Sequence, residues 1–193
     1  MPRPRTTSDE AILHAAGRTI AEHGPAGLTL AAVAREAGLS PPTLVQRFGS
    51  KRGLLLAVAE RATRYTGELF DRVRGEHPSP LTALHAALGE LADVVEAPHH
   101  LANSLAFLQL DLTDPDFRAH AAAQADRMRA EITALLTEAV RVGELTGDPA
   151  RMARSVHIAY NGVVIVWALH GDGPLADALR DEIDQLLTDR SPT

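Results

Sequence analysis

The chain has 193 residues, 45% of them hydrophobic and 23% charged, proportions that fit one folded protein and exclude a disordered or collagen-like chain. It has no cysteine, which excludes disulfide frameworks, cysteine-bound zinc and cysteine nucleophiles. The net charge of −6 divides unevenly, +4 over residues 1–65 and −10 over residues 66–193, so a basic head on an acidic body is expected. Only 4% of residues are aromatic, while Ala, Leu, Arg and Glu abound, which predicts an all-α fold.

The first five residues, MPRPR, lead into a polar segment rather than the apolar core of an export signal. Arg3 and Arg5 would reach a minor groove only if this tail became ordered, and a short disordered tail is expected. Thr7 to Glu10 has the T-x-x-E form of a capping box. Ile12, Leu13, Ala16 and Ile20 then follow at helical spacing until Gly24-Pro25 ends the first helix. Thr29 caps a short second helix whose Val33, Ala34 and Ala37 face inward, and Gly38 closes it. Ser40 is the expected cap of a third, with Pro41 where a missing N–H costs nothing and Leu44 and Phe48 on its inner edge. Ser50 caps a longer fourth helix, whose apolar positions Leu54, Leu55, Val58, Ala62, Tyr65, Leu69 and Val73 keep the period to about Arg74.

The segment Gly75 to Pro80, GEHPSP, is the clearest break. Beyond it, helical periodicity covers about residues 81–96, 99–110, 115–144, 149–170 and 174–188, for nine helices in all. The longest strongly apolar stretch, Ile158 to Leu169, is interrupted by Asn161 and Gly162, and its twelve residues are too few to cross a bilayer, so no membrane partner is expected. The predicted architecture is an N-terminal helix-turn-helix head on a C-terminal antiparallel helical bundle.

The stretch that carries chemistry is Thr29 to Lys51, TLAAVAREAGLSPPTLVQRFGSK, two short helices joined at Gly38-Leu39-Ser40. Its third helix turns Pro41, Pro42, Thr43, Val45, Gln46 and Arg47 outward. A major groove admits one helix; Gln reads adenine, Arg reads guanine or holds phosphate, and Pro42 and Val45 suit thymine methyls. Lys51 and Arg52 stand at the start of the fourth helix, where the helix dipole disfavours cations. A DNA phosphate at that helix end makes the misfit intelligible.

Over residues 8–74 the chain resembles the TetR family of transcriptional regulators. The resemblance rests on the apolar first helix ending at Gly24, Thr29-Leu30, Val33-Ala34, Ala37-Gly38, Thr43-Leu44, Phe48, Ser50-Lys51 and Leu54-Leu55. It implies a homodimer that binds double-stranded operator DNA through its heads and a small-molecule effector in its body, most often as a repressor. It divides the chain into a DNA-binding head (1–50), a connecting helix (51–74) and a ligand-binding and dimerisation part (75–193). Thr29, Ser40, Pro41, Pro42, Thr43, Val45, Gln46, Arg47, Lys51 and Arg52 become the expected DNA-binding residues. Two positions depart from the pattern: Val45 stands where such proteins usually carry Tyr, and Arg52 where an acidic residue is usual. Arg52 is accordingly expected to replace the phosphate contact that Val45 cannot make.

For the dimer, Leu175, Leu179, Ile183, Leu186 and Leu187 form one apolar stripe, and the preceding helix is apolar nearly all round, Ile158 and Ile165 included, with Gly162 allowing close approach. For the effector, His100, Asn103, Phe107, Met128, Tyr160 and Asn161 mix apolar and polar character on the body's helices. No cofactor is expected. His99, His100 and His120 form no H-x-x-x-H or carboxylate pairing, so no metal is expected either. No phosphate loop, dinucleotide fingerprint or nucleophile elbow occurs, so an enzyme is not expected. The competing reading is a helical ligand-binding or protein-interaction module without DNA binding.

Overall fold

The computed structural model describes residues 7–93, 95, 97–170 and 173–188; Arg3 and Arg5 lie outside the described residues. Among these residues there are nine α-helices and no strand. They are α1 (Asp9–Gly27), α2 (Leu30–Glu36), α3 (Pro41–Phe48), α4 (Lys51–Glu76), α5 (Pro80–Ala92), α6 (Pro98–Thr113), α7 (Pro115–Arg141), α8 (Pro149–His170) and α9 (Leu175–Thr188).

Helix starts follow the capping chemistry closely, with two corrections. Thr29 caps α2 by accepting the Ala32 N–H at 3.0 Å, and Ser50 caps α4 by accepting that of Gly53 at 3.1 Å. The cap of α1 is Ser8, which accepts the Ala11 N–H, and not Thr7 one residue earlier. Ser40 makes no capping bond: its Oγ pairs with Thr43 Oγ1 at 2.9 Å, Pro42 has no N–H to offer it, and the Thr43 N–H donates to the Ser40 carbonyl at 3.0 Å instead. Gly24 breaks α1 with φ 67°, and a last turn continues from Pro25.

The chain packs into two units, one of residues 1–62 with 102–121 and the other of residues 63–101 with 122–193. The first is built on Ile12, Leu13, Ala16, Leu28, Val33, Ala34, Leu44, Leu54 and Leu55, with Phe117 in the same cluster and Leu39, Phe48, Phe107 and Leu110 packed against it. Gly38, at φ 67°, makes the reversal between α2 and α3 that a side chain would strain. Gly53 serves a different need, since a Cβ there would lie 2.1 Å from the Phe48 carbonyl oxygen. The first turn of α4 therefore rests on the backbone at the end of α3, and this corner has no slack. Gly53→Ala is expected to destabilise the protein by about 1–3 kcal/mol through overpacking. Thermal unfolding followed by circular dichroism checks this, and an unchanged melting temperature would show that the corner yields.

The second unit encloses Phe70, Leu84, Leu88, Ile132, Leu135, Leu136, Met152, Val156 and Ile183, with α9 packed on both α5 and α8. Glu131 is buried on α7 and is held by Arg127 at 2.8 Å and Arg74 at 3.4 Å. By length and composition α8 is long and apolar enough to cross a membrane, which corrects the reading from its twelve-residue apolar half alone. Its Met152, Ala153 and Val156 are fully buried in this core, which makes it a bundle helix.

Candidate nucleic-acid interface

α3 is eight residues long, and Leu44 is its one fully buried side chain. With Leu44 inward, helical geometry turns Pro42 and Gln46, two residues to either side of it, to the far face; both are exposed, as are Pro41 at the helix start and Val45, at 48%. Thr29 is exposed beside its capping bond, and Thr43 is half-buried. Gln46 engages no protein group among the described residues, so its amide is available as both donor and acceptor.

The cations expected beside this face are placed otherwise. Arg47 donates to the Thr7 carbonyl at 2.6 Å and pairs with Asp9 at 3.0 Å, its side chain only 22% exposed. It ties α3 to the start of α1, which corrects its placement on the open outer face of α3. Lys51 Nζ donates to the Ala26 carbonyl at 2.9 Å and so caps the end of α1.

Arg52 is the largest correction. Its Nη2 donates to both Asp114 oxygens, at 3.0 and 2.9 Å, and to Asp116 at 2.8 Å, while its guanidinium stands 5.6 Å from the centre of the Phe117 ring. The hydrogen bond from Arg52 holds the Asp114 carboxyl below the usual carboxylate range, and the bonds to Asp116 and Asp114 raise the guanidinium further. Arg52 is therefore engaged by two carboxylates, where the sequence reading left it as a spare cation beside Val45. Sequence reasoning missed this because its partners lie 62 and 64 residues away. It also passed over Arg35 on α2, which is exposed and whose side chain makes no hydrogen bond or ion pair among the described residues.

The residues expected to line an effector site divide between the two units. In the first unit, Asn103 donates to the Ala21 carbonyl at 2.6 Å, and Phe107 stands edge-to-face on Phe117 at 5.8 Å. In the second, His100 and Met128 are buried, and Tyr160 packs against two apolar clusters. Burial pushes the Tyr160 phenol up to about 12. Asn161 is exposed and donates to the His157 carbonyl one turn back on its own helix.

The dimer expectation divides as well. Leu175, Leu179, Ile183 and Leu187 are buried in the protomer's own core, and Leu186 packs beside them, so the α9 stripe faces inward. The bare apolar face belongs to α8, where Ile158 (63%), Ile165 (43%), Val166 (55%) and Leu169 (77%) are exposed at one helical spacing. Gly162, on this face, has no atom within 4 Å of where a Cβ would stand. A groove of about 570 Å³ runs here between α8 and α9, walled by Ile158, Val163, Val166, Trp167 and Ala178, with Glu182 at its edge. Trp167 is held by its indole N–H, which donates to the Gly173 carbonyl at 2.9 Å.

Residues 12–58 match the family model of the bacterial regulatory proteins of the tetR family, and residues 80–190 match that of the C-terminal part of BetI-type transcriptional repressors. Solved structures share the fold along nearly the whole chain. A transcriptional regulator from Rhodococcus sp. Rha1 aligns with TM-score 0.73 and 22% identity over 97% of this chain and 100% of its own. The regulator FadR from Bacillus subtilis, solved in complex with stearoyl-CoA, aligns with TM-score 0.71 and 17% identity over 94% and 98%. SmeT, the repressor of the Stenotrophomonas maltophilia multidrug efflux pump SmeDEF, aligns with TM-score 0.68 and 21% identity over 97% and 92%. No curated protein matches the sequence.

Proposed function

The chain belongs to the TetR family of bacterial regulatory proteins, and we propose that it acts as a homodimeric repressor that binds a palindromic operator and is released by a small-molecule effector. In this reading residues 1–50 read DNA, 51–74 connect, and 75–193 bind the effector and form the dimer. The regulator works on chromosomal DNA in the cytoplasm and has no catalytic role. The observation that carries the reading is the outer face of α3, where Pro41, Pro42, Val45 and Gln46 are open while Leu44 fixes the helix from behind. Such a face places a rigid set of apolar and amide contacts in a major groove. Thr29 and Thr43 flank it, and Lys51 and Arg35 supply cations for phosphate once Lys51 exchanges its carbonyl partner for DNA.

Repression with release requires two conformations that the effector binds unequally, because equal affinity would shift nothing. A second copy docked on the bare α8 face brings two heads to one duplex with twofold symmetry. Ile158 and Ile165 remain interface residues in this proposal, joined by Val166 and Leu169, which replace the α9 stripe.

Selection of bound duplexes from a random pool tests this reading. The expected result is a palindrome whose half-sites lie about 34–36 Å apart, or a multiple of that. No enrichment at any salt concentration would leave the helical module without DNA binding as the better reading.

A further inference from the structure

Acid outnumbers base by twenty to ten in residues 66–193, and Arg72, Arg74 and Arg127 each pair there with at least one carboxylate. Four exposed arginines do not: the side chains of Arg141, Arg151, Arg154 and Arg180 make no hydrogen bond or ion pair among the described residues. Of these, Arg154 lines a depression of about 630 Å³ between α7 and α8, and Arg129 stands in its α7 wall. The short side chains of Ala130, Ala134 and Ala150 leave the depression open. Asp148, the carboxylate nearest Arg154 in sequence, is committed to capping α8, where it accepts the N–H groups of Ala150 and Arg151.

Asp126, one turn before Arg129, pairs with it at 2.7 Å and is the one carboxylate in the wall. It does not cancel the cation. Burial, and after it the Arg129 charge, hold the His157 imidazole below its ordinary range. Two guanidiniums against one carboxylate thus leave a local excess of positive charge on a body of net charge −10. Cations that share a depression repel one another, and an oxyanion placed between them replaces the repulsion with two charge-assisted pairings. The planar fork of Arg, with its parallel N–H donors, suits phosphate in particular.

We propose that the depression between α7 and α8 is a binding site for a phosphate group, held by Arg129 and Arg154. The ligand is inorganic phosphate or the phosphate of a small phosphomonoester, since the chemistry at the two arginines is the same. The site does not rest on the DNA-binding reading, because both helices' contributions come from the second unit.

The test follows the melting temperature of the full chain as inorganic phosphate or phenyl phosphate is added at fixed pH and ionic strength, with chloride as the balancing ion. Affinity then follows by mass action. A saturable rise is expected. Arg129→Gln and Arg154→Gln should each weaken the affinity by about tenfold, the worth of one charged hydrogen-bonding partner. Arg141→Gln and Arg180→Gln, equally unpaired cations outside this wall, should leave it unchanged. Asp126→Asn moves it the other way, tightening binding by about threefold, because it frees Arg129 from an exposed ion pair and removes the competing carboxylate. All five side chains are exposed, so the variants keep the fold. Tighter binding of phenyl phosphate assigns the site to a phosphomonoester, and equal or tighter binding of inorganic phosphate assigns it to the free ion. No saturable rise with either probe overturns the site. A rise that both Arg129→Gln and Arg154→Gln leave intact overturns it as well, because the ion would then sit elsewhere, and so does weaker binding by Asp126→Asn.

Discussion

Replacing both Val166 and Leu169 by arginine is expected to convert the protein to a monomer and to lower operator affinity by about 10²–10⁴-fold. These side chains are 55% and 77% exposed, and with Ile158 and Ile165 they line one side of a helix whose opposite side is already buried. Two like charges from each copy would meet across a twofold interface, where desolvation and repulsion both oppose association. The affinity loss follows from geometry: a dimer's second head binds at high effective concentration, and a monomer forfeits this without losing any contact in its own half-site. Sedimentation velocity and fluorescence anisotropy with the selected duplex check the two halves of the prediction. Leu112→Arg serves as control for the oligomeric state, since Leu112, at 63%, is exposed to a degree between Val166 and Leu169 but lies on α6. A double variant that stays dimeric would remove α8 from the interface.

The second large effect is expected at Leu44. It is fully buried among Ile12, Leu28, Val33, Ala34 and Leu54, and no other α3 side chain is buried to that degree. Leu44→Ala removes the methyl groups that anchor the helix and leaves a cavity, at a cost of about 2–5 kcal/mol. For a chain of this size each kcal/mol is worth about 2–4 °C, so the melting temperature should fall by several degrees or more. Operator binding should weaken with it, because α3 then samples orientations that do not fit the groove. Val45→Ala separates the two consequences: Val45 points outward, so its truncation should leave the melting temperature within about 0.5 kcal/mol equivalent of the original while still lowering affinity for DNA. Equal melting temperatures for Leu44→Ala and the natural sequence would show that other contacts hold α3.

These two sites also show how far local pattern reaches. Leu44 could be placed inside and Val45 outside from sequence because successive residues of a helix stand about 100° apart, enough to carry Val45 off the face that Leu44 buries. The same rule found the breaks at Gly24, Gly38 and Gly49 and all nine helices, since caps, glycines and prolines act within a few residues. It failed where a residue had a choice of distant partners. Arg47, Lys51 and Arg52 read as three cations facing a polyanion, yet the fold gives each an oxygen acceptor of its own. The α9 stripe read as a dimer seam because an amphipathic face does not say what covers it; α5 and α8 cover it within the protomer.

What the sequence determined by itself is therefore the helical order, the turn that aims α3, and the family to which that pattern belongs. These depend on interactions between residues a few positions apart. The tertiary structure alone decided that the residues named for an effector site divide between two packing units, that the bare apolar surface is on α8, and that residues 102–121 pack in one unit with the head. Each of those outcomes depends on which long-range partner wins an arginine, an amide or an apolar face, and that competition is settled only when the helices pack.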